Sequence, residues 1–396
     1  MPIYDISGNS PKAYDIDGNE VSGKEIIIKD AKVGFVTAPE YIDMDGGKYR
    51  LVWKDEFDEK DIDKNYWTDS YLVSNVENMY QAQADYYIAD SILHMRIKKD
   101  APSRGTAADT AQSCIQSGEY NNAETGVDSY HDVHPFWGLL TQEGYYEMRM
   151  KPWKATGGCC NVWWMMEIQD AKLQKASLGG RGEFDIIEYL PMNPTVYPHG
   201  QHKNSNEALT ERYVNTDVGI DLTNDYHVIG FLWKNGTLVF YLDGNVIDTF
   251  SNISTPQTPM YHLLSAYKYF GTGTDWKGPA DRSLDTRDVT WDIDYIRIYK
   301  KADTVQTTNV TIDRYAPVTI DGNTADMEID SRRGCPYEFP SYVYIYWSDG
   351  TRTEHWVKWD AIKDTYQTKM TNQESFEWGG YVYGLGIEIV ANVNYN

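Results

Sequence analysis

The 396-residue chain carries 36 Lys and Arg against 59 Asp and Glu, a formal net charge of −23 at pH 7. Such a surface repels a phosphate backbone or an anionic lipid face, which excludes nucleic acid as the expected partner, and no run approaches the roughly 18 apolar residues of a membrane span. The length suits two or three domains, and 32 Tyr with 13 Trp supply flat amphipathic rings of the kind that carbohydrate clefts and β-sandwich cores both use.

From the N-terminus, Met1-Pro2-Ile3-Tyr4-Asp5 lacks the basic start and apolar stretch of a signal peptide. Tyr14–Asn19 reads as a hairpin turn or a calcium-loop fragment, the hairpin being the preferred reading. Short alternating or β-branched runs follow at Tyr49–Trp53, Ser91–Ile97, Gly144–Met150, Tyr226–Trp233, Thr237–Leu242 and Val289–Tyr299, separated by Gly, Asn and Asp. Asn235-Gly236 and Asp243-Gly244 mark hairpin turns. Residues 101–135 and 168–181 are long and irregular and are expected to wall a cleft. Of the four cysteines, Cys114, Cys159, Cys160 and Cys335, none forms a C-x-x-C pair, so zinc is disfavoured and a Cys114 bridge to one of the adjacent pair is open. The polar stretch 302–308 is a linker, after which Val310–Ile312, Tyr342–Trp347, Glu354–Lys358 and Gly386–Val390 suit a small immunoglobulin-like sandwich. The fold class expected is all-β: a β-jelly-roll sandwich with an open cleft, followed by that smaller sandwich.

The densest chemistry lies in Gly182-Glu183-Phe184-Asp185-Ile186-Ile187-Glu188-Tyr189. On a helix, Glu183 and Glu188 would stand about 140° apart. On a regular strand Glu183 and Asp185 share a face, while Glu188, an odd number of residues away, points to the other. One extra residue in a β-bulge at Ile186-Ile187 returns Glu188 to the shared face. Three acids on one strand face repel one another, so a solvated face or a calcium site is the bland alternative. Retaining glycosidases need two carboxyls about 5–5.5 Å apart, one nucleophilic and one protonated. The bulged ends lie roughly 13 Å apart at Cα, so strand bending and two long Glu side chains must close the gap. The charge of Glu183 would raise the pKa of Glu188 and keep it protonated as the acid.

These residues resemble the E-x-D-x-x-E signature of glycoside hydrolase family 16. Leu51–Asp58 with Trp67 resembles the family's opening strand, Gly144–Met150 its "YGYFEARIK" strand, Trp163-Trp164 its "FW" pair, Asp225–Trp233 with Tyr241–Gly244 its "DFHxYxxxW…YxDG" segment, and Asp292–Tyr299 its terminal strand. The resemblance covers roughly residues 49–300 in order and spacing. It implies a jelly roll, attack within the glycan chain, Glu183 as nucleophile, Asp185 as its partner and Glu188 as acid/base. It further implies Trp164 stacking under a sugar, His202 as a cleft histidine, and Asp294 at a position that often binds a structural calcium; no cofactor is expected for catalysis. Trp163, Trp153 and Glu119 are expected among the substrate contacts.

Ser117-Gly118-Glu119-Tyr120 stands where many members read "SGRI", the strand at Trp163-Trp164 departs from the usual "PAFWLLP", and the segment after Glu188 lacks "IHWGG". The sugar expected is therefore a polysaccharide or glycoprotein glycan with a lean to endo-β-galactosidase action on mucin or keratan-type chains. The alternatives are an endo-β-1,3-glucanase or an agarase or porphyranase and, of another class, a non-catalytic glycan-binding module or an adhesin. The domain division expected is 1–48 as an N-terminal extension packed on the catalytic domain, 49–301 catalytic, 302–308 linker and 309–396 immunoglobulin-like. Val343–Trp347, Ser348–Thr351 and Val357–Asp360 resemble bacterial immunoglobulin-like spacers, which implies an exported, cell-surface enzyme. A monomer is expected, secreted or at the cell surface with its leader outside this chain, the alternative being a cytosolic protein.

Overall fold

Between residues 38 and 304 the chain folds into two antiparallel sheets stacked around one apolar core. The structure is a computed structural model and describes residues 13–14, 20–21, 38–69, 83–103, 109–118, 138–167, 182–204, 207–256 and 259–304, with shorter stretches between 318 and 394. The first sheet, here the cleft sheet, runs Arg212–Asp217, Val196–His202, Glu183–Tyr189, Cys159–Glu167, Met260–Tyr269, Thr110–Gln116, with Leu140–Thr141 also on Met260–Tyr269. The outer sheet runs Asn245–Ser251, Thr237–Leu242, His227–Lys234, Gly144–Lys151, Val289–Lys301, Gly47–Asp55, Tyr41–Met44, and the Tyr86–Ala89/Ile92–Ile97 hairpin joins it along Val289–Lys301. This is the jelly-roll sandwich expected from the alternating runs.

Strand alternation explains the core. Phe184 from the cleft sheet meets Phe231 and Trp233 from the outer sheet edge to face, at ring-centroid distances of 5.3 and 5.0 Å. Such pairs add about 0.5–1.5 kcal/mol to the gain from burial. Asp243 and Gly244, at φ 50° and 78°, make the two-residue turn joining Thr237–Leu242 to Asn245–Ser251. Both central residues need positive φ there, which Asp-Gly supplies. On Val289–Lys301, an inner strand of the outer sheet, Arg297 forks onto Glu56 through two 2.8 Å hydrogen bonds, a geometry that satisfies a buried guanidinium.

Several expectations change. Residues 101–135 are not irregular throughout: Thr110–Gln116 is a fully buried strand at the edge of the cleft sheet. Its polar residues hid it, and two of them are satisfied in place, Ser113 Oγ donating to Asp85 O at 2.8 Å and Gln116 Nε2 to Gly118 O at 2.5 Å. Tyr41–Met44 turns through Asp45 and Gly46 and pairs with Gly47–Asp55, adding the last strand of the outer sheet. Cys114, Cys159 and Cys160 are buried free thiols rather than disulfide partners, and Cys114 Sγ sits 3.0 Å from Ser265 Oγ; Cys335 lies outside the described residues. Ala13–Tyr14 pairs with Glu20–Val21, the hairpin reading of that segment.

Past residue 302, Thr351–Trp359 pairs with Asp303–Thr304, Tyr342–Tyr346 and Phe376–Val382, and Phe376–Val382 pairs with Ile387–Asn394, which takes Val318–Asp321 in parallel. Val310–Ile312 lies outside the described residues. Among the described residues no helix is long and apolar enough to cross a membrane.

Candidate active site

The strand Glu183–Tyr189 pairs with Cys159–Glu167 in a register that slips once: Trp163 faces Ile187, and the next residue, Trp164, faces Asp185. Ile186 is left without an opposite number. It is the extra residue of a bulge, and it turns Glu188 back to the face that carries Glu183 and Asp185. Phe184, Ile186, Ile187 and Tyr189 are all in the apolar core, so both isoleucines of the bulge anchor inward.

Across the sheet the register sets a row of neighbours on the face turned away from the core: Tyr213, Gly200, Asp185, Trp164, Leu263 and Gln116. Gly200 is there because a Cβ would lie 2.5 Å from Arg212 O and 2.8 Å from Tyr213 Cα. Its bare backbone lets the neighbouring strand approach closely. Glu183 pairs with His202 and with Met166, completing the next row.

Each acid has its own partner. Asn204 Nδ2 donates to Glu183 Oε2 at 2.7 Å. His202 Nε2 stands 3.2 Å from Asp185 Oδ2, and its Nδ1 stands 2.5 Å from Glu211 Oε1. With a carboxylate at each ring nitrogen, His202 is held as the imidazolium and its pKa rises to about 10, the Asp185 hydrogen bond being the largest cause. Tyr213 OH donates to Glu188 Oε2 at 2.6 Å, and its ring stacks on His202 at a centroid distance of 5.2 Å.

Burial pushes all three carboxyls up. Glu183 rises to about 8, through burial first and then the charge of Asp185, against the pull of Asn204 and of His202. Asp185 is raised by burial and held back chiefly by His202. Glu188 is raised by burial, restrained by Tyr213, and raised again by the charge of Glu183. The charge effect expected from the sequence is therefore present and secondary to desolvation. Glu183 and Asp185 also hydrogen-bond one another, so this pair titrates as a unit. The cluster can hold a nucleophilic carboxylate and a protonated acid on one wall, with a cation behind Asp185.

The remaining sequence-predicted contacts divide. Trp164 is on the acid face, 9 % exposed, with Nε1 donating to Ser265 Oγ at 2.9 Å. Trp163, one residue away, must point oppositely; it is fully buried in the core against His262, so it is not a sugar contact. Trp153 is likewise a core residue, packed beside Cys159, and not a cleft residue. Glu119 lies outside the described residues, as do residues 168–181. Asp294 is the bulge residue of Val289–Lys301 and is ion-paired to Arg149. Among the described residues no group of three His, Cys, Asp or Glu is placed to hold a metal ion.

Sequence reasoning missed Tyr213, Asn204 and the Thr274–Pro279 hairpin. That hairpin is fixed by Gly158 N donating to Lys277 O at 2.7 Å and by Gly278, whose Cβ would lie 2.5 Å from Met192 Sδ. Lys277 is buried and paired with Asp275, and its charge is among those that restrain Glu188. Next to it Trp276 is 55 % exposed. An exposed tryptophan beside polar neighbours was the available signal.

Residues 141–310 match the family described as Glycosyl hydrolases family 16. A beta-glucanase of Bacillus subtilis (strain 168) is 31 % identical over 136 residues, which is 34 % of this chain and 50 % of that protein. Glucan endo-1,3-beta-glucosidase A1 of Niallia circulans is 22 % identical over 329 residues, 74 % of this chain and 44 % of that protein. The chain thus spans about half the length of these curated relatives. Among solved structures, the GlcNAcα1-4Gal releasing endo-β-galactosidase from Clostridium perfringens has a similar fold, with a TM-score of 0.55 at 19 % identity over 91 % of this chain and 96 % of that one.

Proposed function

We propose that this protein is a glycoside hydrolase, a retaining endo-β-glycosidase in which Glu183 is the nucleophile, Asp185 its partner and Glu188 the acid/base. The observation that carries the reading is the unpaired Ile186, which turns Glu188 onto the face of Glu183 and Asp185. A pure binding module has no use for three acids, Asp185 buried and Glu183 and Glu188 half-buried, held on one face against their mutual repulsion. In the first step a Glu183 oxygen forms a bond to the anomeric carbon as the glycosidic C–O bond breaks, and Glu188 gives its proton to the departing oxygen. In the second, Glu188 takes a proton from water, the water oxygen bonds to the anomeric carbon, and Glu183 leaves with its electron pair. His202, charged behind Asp185, opposes the build-up of negative charge in the cluster.

Two substrate classes have support. The fold likeness to an endo-β-galactosidase runs over 91 % of this chain, past the catalytic sheets, and favours galactose-containing glycans of mucin or keratan type. The relatives named beta-glucanase and glucan endo-1,3-beta-glucosidase favour a β-glucan with equal weight, the second of them a β-1,3-linked one. Export to the cell surface or medium, and a spacer role for the strands after residue 309, accompany either reading.

The test is a digest of laminarin, agarose, porphyran, keratan-type chains and mucin O-glycans read by mass spectrometry, with the anomer of the first product followed by proton NMR. Oligosaccharides released as the β-anomer, and their loss in Glu183→Ala, are the expected result. A first-formed α-anomer, or undiminished cleavage by Glu183→Ala, removes the double-displacement reading; no release from any glycan by the parent favours the binding module.

A further inference from the structure

We infer that Asn204 is a positioning residue that holds the non-attacking oxygen of Glu183, and that it acts mainly on the departure of that carboxylate in the second half-reaction. The inference rests on the assignment of Glu183 as nucleophile. Its first support is contact: the side-chain amide of Asn204 donates to Glu183 Oε2 at 2.7 Å. Its second is backbone: Asn204 sits just past the Val196–His202 strand at φ 45°, the left-handed region where glycine is the unstrained choice. Asparagine and glycine both enter this region readily, so the turn places the amide beside the acid strand and tolerates its removal as glycine. Its third is balance. Burial and Asp185 both favour the neutral form of Glu183, whereas Asn204 and the charge of His202 favour the anion.

The chemistry gives this hydrogen bond a direction. When the other oxygen of Glu183 attacks, the carboxylate becomes an ester and Oε2 becomes its carbonyl oxygen, a weaker acceptor than the anion. The amide therefore favours the state before attack. When water displaces the sugar, the C–O bond to Glu183 breaks, its electron pair returns to the carboxylate, and Asn204 meets the charge as it forms. Removing the amide leaves attack nearly as fast and slows departure, so the glycosyl-enzyme accumulates. Accumulation lowers kcat and KM together, a pattern that general loosening of the site does not give.

The experiment uses the full chain and two variants, Asn204→Gly and Asn204→Ala. Glycine removes the amide and keeps the left-handed turn free of strain, so it separates the contact from the backbone. Probes are the 2,4-dinitrophenyl β-glycosides of a β-1,3-glucan disaccharide and of a galactose-terminated disaccharide, and the matching 2-deoxy-2-fluoro glycosides. Expected for both variants are a roughly tenfold fall in kcat with a parallel fall in KM, a dinitrophenol burst near one equivalent, and an acid limb moved to higher pH. Parent-like kcat, KM and acid limb in Asn204→Gly overturn the inference, as does a fall in kcat with KM unchanged and no burst. If the fluoro-glycoside labels the parent at a residue other than Glu183, the nucleophile assignment itself is lost, and peptide mapping reads that outcome separately.

Discussion

Tyr213 donates a 2.6 Å hydrogen bond to Glu188 while its ring lies against the His202 imidazolium, so one side chain joins the proposed acid to the cation behind Asp185. The phenol stabilises the charged form of Glu188 and works against the burial that raises its pKa. In Tyr213→Phe that restraint is gone, and Glu188 keeps its proton to higher pH. The alkaline limb of the pH–rate profile is expected to move up by about one unit. An unmoved alkaline limb means that another group titrates there.

Glu188→Ala removes proton donation to the leaving group. On a natural glycan kcat is expected to fall by roughly 10²–10⁴, with a much smaller fall on a 2,4-dinitrophenyl glycoside, whose leaving group needs no proton. Equal losses on both substrates assign the acid to another residue.

Stability should report on Glu183. Its pKa is about 8 in the fold against an ordinary 4.5. Between these values the folded protein binds more protons than the unfolded chain, so this site loses stability as pH rises through that window. Glu183→Gln is neutral throughout. Its Tm relative to the parent is expected to rise between pH 4 and pH 9; a difference that stays constant across that range contradicts the shift.

Deleting Ile186 brings Glu188 to four residues from Glu183, so unbroken alternation keeps both acids on one face and leaves Ile187 and Tyr189 in the core. What is lost is one buried isoleucine side chain, about 2–5 kcal/mol. The deletion is expected to keep cooperative thermal unfolding in calorimetry at a lowered Tm. Loss of cooperative unfolding shows that Ile186 is more than an extra residue in an otherwise regular ladder.

Trp276 offers an exposed ring on a hairpin whose Lys277 charge reaches Glu188. Trp276→Ala is expected to raise KM on the cleaved polymer several-fold and leave the dinitrophenyl disaccharide unaffected. Equal KM values for parent and variant on the polymer place the ring outside the glycan path.

The acid strand was legible because a period of two and a spacing of five are incompatible without a bulge, and both numbers are in the sequence. The adjacent tryptophans were half legible. Neighbours on a strand point to opposite faces, but which one meets the acids was set by the pairing of Trp164 with Asp185 and by the burial of Trp163 against His262. Thr110–Gln116 escaped notice because a strand covered on both faces need not alternate, and Ser113 and Gln116 find their side-chain partners only in the assembled fold.

By itself the sequence determined the all-β class, the bulged strand and the three acids, since these follow from local periodicity and residue chemistry. Tertiary structure alone decided which group answers each acid. Asn204, His202 and Tyr213 reach Glu183, Asp185 and Glu188 only through antiparallel registers that bring residues 183–188, 200–204 and 213 side by side across Gly200. Register is fixed by the burial of whole strand faces and not by any short run of residues, so the partners that tune a carboxyl's charge are written in the packing.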